Sequence, residues 1–130
     1  MSDQLVAVED RLIESLAGSP RGRRRNGTYA VWLFVRTCAG LLPPDALTER
    51  GHRGRLAGLE RRLRVLSLPS PLKRALAGGL RELAQGTPHA AAIALQQLIA
   101  PARESVGPEV GDAVTQAARA AREASREERR

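Results

Sequence analysis

Two leucine series, Leu56, Leu59, Leu63, Leu66 and then Leu72, Leu76, Leu80, Leu83, constrain this chain more than any other feature. Steps of three and four residues align side chains along one face of a helix, whereas a strand would need alternation. Between the series stand Ser70 and Pro71, an N-cap residue followed by a proline at the first helical position, where the missing N–H costs nothing. Gly86 suits the left-handed residue just past a helix end, and Thr87 with Pro88 repeats the opening device.

The remaining segments carry the same signature with different strength. Leu5, Val8, Leu12, Ile13 and Leu16 predict an amphipathic helix over 3–17, with Ser2 as its cap and Asp3 in the first turn. Residues 28–42 are apolar on nearly every side from Tyr29 to Val35, and their β-branched and aromatic content makes a strand the competing reading. Continuation through Cys38, Ala39, Leu41 and Leu42 exceeds ordinary strand length and no partner strand is visible, so a buried helix ending at Pro43 and Pro44 is expected. Asp45 caps a short turn through Leu47 and Thr48, and the helix at 52–67 is weakened by Gly54 and Gly58. The run 89–100 has few polar positions beyond His89, Gln96 and Gln97, which predicts the central, most buried helix, bent or ended by Pro101. From Gly107 and Pro108 a last segment offers a thin stripe of Val110, Val114, Ala117, Ala118 and Ala121, expected to dock weakly.

The chain has 130 residues, enough for one ordinary domain, and 42% of them are hydrophobic. Tyr29, Trp32 and Phe34 are its only aromatics, so Leu, Ala, Val and Ile must build the core. The expectation is an all-α fold, a compact single-domain bundle of five or six short helices. It occupies 1–121, with an exposed basic loop at 18–27 and a polar tail at 122–130 that is free to fray.

Charge is the main functional clue. Lys and Arg total 21 against 14 acidic residues, for a net charge of +7, and every basic residue except Lys73 is arginine. Residues 1–20 sum to −3, residues 21–85 to +10 and residues 86–130 to zero. A compositional bias would spread arginine more evenly, so the central excess marks a surface suited to polyanions. Arg21, Arg23, Arg24 and Arg25 stand in a breaker-rich stretch without a compensating acid. Guanidinium groups match phosphate oxygens bidentately and release condensed counterions, although a solubilising loop has the same composition. On the helix at 52–67, Arg55 and Arg62 share a line, Arg61 and Arg64 flank it, and Glu60 is placed to pair with Arg64. Arg50, Arg53, Lys73 and Arg74 extend this ridge, whose bland counterpart is a solvated helix face. Tyr29, Trp32 and Arg36 fall on one face, as an anchor in a protein interface or as core packing.

Catalytic chemistry finds no foothold. His52 and His89 lack neighbouring ligands at metal spacing, and Cys38 sits in an apolar run as an inert thiol. Gly78 and Gly79 lack the ending of a phosphate loop and read as a close helix approach. A single cysteine, no signal pattern and no apolar run near the roughly 20 residues of a membrane span predict a cytoplasmic protein. The expected function is a noncatalytic helical subunit without cofactor or metal. It neutralises a nucleic-acid backbone, without reading sequence, through Arg21, Arg23, Arg24, Arg25, Arg50, Arg53, Arg55, Arg61, Arg62, Arg64, Lys73 and Arg74. A protein partner or homo-oligomer is expected beside it. The alternative is an assembly module with no nucleic-acid role, using the leucine stripes, the Tyr29 and Trp32 face and the last helix.

Overall fold

The computed structural model describes residues 3–18, 23–42 and 49–128, and among them every regular element is helical. The six helices are α1 (Asp3–Gly18), α2 (Arg23–Ala39), α3 (Glu49–Arg64), α4 (Ser70–Leu83), α5 (Pro88–Ser105) and α6 (Pro108–Glu128). They pack in the neighbour order α1, α6, α5, α4, α3, an arc that wraps around α2, and α2 touches all five others.

That placement resolves the helix-or-strand competition in the second segment. A helix buries most of its circumference only when neighbours flank it on several sides, and Ala30, Val31, Leu33, Phe34, Val35, Cys38 and Ala39 of α2 are all buried, with the Tyr29, Trp32 and Arg36 face left outermost. The hub of the bundle is therefore α2 and not α5, which packs against α4, α6 and α2 only. α2 also begins at Arg23, five residues before the expected start at 28, so Arg23 to Gly27 are helical rather than part of a loop. Gly27 explains the difference. A Cβ there would meet Val106 Cγ2 at 2.8 Å and Leu72 Cδ2 at 3.2 Å, so the glycine that resembles a turn signal is a site of close packing.

Other boundaries shift for equally local reasons. Ser70 is already helical, and Pro69 takes the N-cap position with no side chain capping α4. Thr87 does cap α5, its side chain accepting from the Ala90 N–H at 3.1 Å, with Pro88 next in line. Gly86, at φ +70°, turns the chain between these two helices. Pro101 lies inside α5, which continues to Ser105 with Ala102 and Val106 buried beyond it. The expected turn at Asp45, Leu47 and Thr48 lies outside the described residues.

α6 docks firmly, against the expectation of weak attachment. Val110, Ala113, Val114, Ala117, Ala118, Ala120 and Ala121 are buried, and α6 packs on α5, α1 and α2. Small side chains let helix axes approach closely, and most of the buried residues of α6 are alanines. α6 runs on to Glu128 with Ser125 buried, so most of the expected tail is helical. Conversely, Ile13 of α1 leaves the core stripe and is 48% exposed, as is Val6 at 40%. No helix among the described residues is long and apolar enough to cross a membrane.

Candidate nucleic-acid interface

α3 carries the largest share of the predicted cations, and it packs only against α2 and α4. Its contact line is narrow: His52, Leu59 and Leu63 are buried, with Leu56 partly so. Gly51 and Gly58 are half-buried, and Arg50, Arg53, Arg55, Arg61, Arg62 and Arg64 are all exposed. On α4, Lys73, Arg74 and Arg81 are likewise exposed. From 49 to 83 there are nine basic residues against Glu49, Glu60 and Glu82. Among the described residues the only ion pair within this group joins Arg64 Nη2 to Glu60 Oε1 at 2.8 Å, the i,i+4 pair that the sequence predicts. Both partners are mostly exposed, so it is worth about 0.3–0.5 kcal/mol and leaves the field of the helix largely intact.

The arginines of α3 form three rows instead of one strip. Arg55 leans towards α2, its Nη1 lying 2.6 Å from where a Cβ on Gly40 would stand, so it sits against the carbonyl end of α2. Arg62, seven residues on, continues that row. Arg50 and Arg61 point outward at the middle of the exposed arc. Arg53 and Arg64 face α4 and, with Lys73 and Arg81, rim a trough of about 710 Å³ between α3 and α4. The trough floor is apolar, formed by Leu56, Ala57, Leu63, Leu76, Ala77 and Leu80. His52 closes one end of this helix pair, its Nε2–H donating to the Leu83 carbonyl. That bond fixes the tautomer and assigns His52 a structural task.

The second cluster meets the ridge at one corner. Asn26 Nδ2 donates to Ser67 O at 3.2 Å, and Gly27 packs on Leu72, so the start of α2 lies beside the α3–α4 connection. Exposed Arg25 therefore stands at the end of the molecule that carries Arg64, Lys73 and Arg74. Arg23 and Arg24 belong to the first turn of α2, and Arg21 lies outside the described residues. Arg50, Arg53 and Arg55 sit at the opposite end of α3, roughly 20 Å away at 1.5 Å per residue.

The Tyr29, Trp32 and Arg36 group forms as its spacing predicts, with ring centroids 5.8 Å apart and Arg36 Cζ 5.5 Å from the Trp32 centroid. Both rings are partly buried against the core, and Arg36 covers the outer face of the indole. Trp32 Nε1 is buried and has no hydrogen-bond partner among the described residues. The rings thus pack partly into the core, and the part that stays exposed lies beside the Arg36 guanidinium.

Burial pushes the Cys38 thiol far up from its ordinary range, so it stays protonated and inert. Among the described residues no three His, Cys, Asp or Glu side chains cluster to hold a metal ion. The sequence reading missed Arg81, although its spacing of seven from Arg74 places it on the same exposed side. It also missed the trough, because the leucines read as a filled core stripe. Comparison of the chain with protein-family models, with curated proteins and with solved structures finds no match.

Proposed function

We propose that this protein is a noncatalytic helical subunit that neutralises a nucleic-acid phosphate backbone with the outer rows of α3 and the adjoining ends of α2 and α4. One observation carries the reading: nine exposed cations on one two-helix lobe, with a single ion pair among that lobe's described residues. A helix of this length spans about 18 Å between Arg50 and Arg62, over which a duplex presents on the order of ten phosphates counting both strands. The arginines lack aromatic neighbours that would stack on bases, which favours contacts to the backbone over contacts to base edges. An assembly module is the second reading. It has no nucleic-acid role and rests on the trough, whose rim uses Arg53 and Arg64 rather than the outward Arg50 and Arg61.

Fluorescence anisotropy with duplex and single-stranded probes, between about 50 and 200 mM salt, tests the first reading. Log affinity should fall linearly with log salt, and the double variant Arg61→Ala, Arg62→Ala should reduce the slope by about 2. Absence of binding at the lowest salt, or affinity that ignores salt, refutes it.

A further inference from the structure

We propose that the trough between α3 and α4 receives α1 of a second copy of this chain, giving a head-to-tail self-association. The trough is apolar along its floor and cationic along both walls, with Arg53 and Arg64 on one side and Lys73 and Arg81 on the other. Glu60, its one acid, is already held by Arg64. An occupant that matches it must present an apolar row with carboxylates on both sides. α1 has that surface. Leu5, Val8 and Leu12 face the core, while Val6 and Ile13, seven residues apart, stand 40% and 48% exposed in a single row that Ala17 extends. At 100° per residue Glu9 borders this row on one side, and Asp10 and Glu14 border it on the other.

Length agrees as well. Val6 to Ala17 and Arg53 to Arg64 each span eleven steps, about 16 Å of helix. The contact must be intermolecular, because α1 packs on α2 and α6, at the far end of the arc, and touches neither α3 nor α4. A donor face on one side and a receiving trough on the other make a heterologous interface, which closes into a ring or grows into a filament. The interface is small, so association is weak and falls with salt, as charge pairs at an exposed rim do.

Sedimentation velocity on nuclease-treated protein, over a concentration series at low and high salt, tests the proposal apart from any nucleic-acid role. The intact chain self-associates in a concentration-dependent way. Two variants reverse one side each: Asp10→Arg with Glu14→Arg on α1, and Lys73→Glu with Arg81→Glu at the trough. Each alone associates at least about tenfold more weakly. Mixing them restores association, since the reversed α1 of one now fits the reversed trough of the other, and recovery also shows that both variants are folded. A chain that stays monomeric to about 1 mM, self-association untouched by either reversal, or a mixture that fails to recover overturns the proposal. So does a monomeric chain whose trough binds an unrelated acidic amphipathic peptide, which would give that surface to a different protein.

Discussion

Adjacent glycines in α4 should respond to the same substitution with opposite sign. A Cβ on Gly79 would stand 2.5 Å from Phe34 Cζ and 2.9 Å from Cε2, with the Ala94 methyl at 3.6 Å behind. Phe34 is fully buried at the centre of α2, and its ring is rigid, so it has nowhere to retreat. Replacing Gly79 by alanine gains about 1 kcal/mol of helix propensity, but overpacking of this kind costs about 1–3 kcal/mol, and a clash with a confined ring belongs at the upper end. The net expectation for Gly79→Ala is a loss of about 1–2 kcal/mol. A Cβ on Gly78 would meet nothing within 4 Å, so Gly78→Ala should gain about 0.5–1 kcal/mol. For a chain of 130 residues each kcal/mol moves the melting temperature by about 4 °C. Urea and thermal unfolding followed by far-ultraviolet circular dichroism would read both. A second substitution, Phe34→Leu, should make the Gly79→Ala penalty smaller, because the two share the contact. If Gly79→Ala is as stable as the parent chain, or if the two glycines respond alike, the close seat of Phe34 on α4 is wrong.

Removing the cap of α5 by Thr87→Ala should cost about 1 kcal/mol, seen as a lower urea midpoint at unchanged m value. Cys38 should resist alkylation in the native protein at about pH 8 and react once the chain unfolds. Because burial raises its pKa in the folded state, the unfolded chain sheds that proton first as pH rises. Its contribution to stability is therefore present below about pH 8.5 and is lost above it, by up to about 1.4 kcal/mol per pH unit. Comparison of parent and Cys38→Ala unfolding between about pH 7 and 10 isolates this slope.

Leucine spacing made α3 and α4 legible, because large side chains at three and four steps have one helical solution. The same weighting by bulk misjudged α6, where alanines pack as tightly as leucines by letting backbones approach. It also ranked α5 above α2 as the hub, since surrounding helices cannot be counted from a single segment. Gly27 shows the limit of punctuation signals: a glycine beside asparagine and arginines reads as a turn, and only the positions of Leu72 and Val106, far along the chain, make it an interior helix residue. The charged residues were legible as a group but not as a geometry. The side of α3 on which each arginine stands depends on where α2 and α4 lie, and the trough exists only because two leucine stripes meet incompletely.

The narrow seat of α3 gives dissolved ions a double effect. Six arginines against two glutamates on one short rod leave a net repulsion that works against its hold on α2 and α4, so shielding them should tighten the lobe and slow amide hydrogen exchange along it. On the proposed function, the same shielding weakens its grip on a polyanion. On that proposal the helix that does the capturing is also the one most easily peeled away in dilute buffer, and an anionic guest would act on it as a splint.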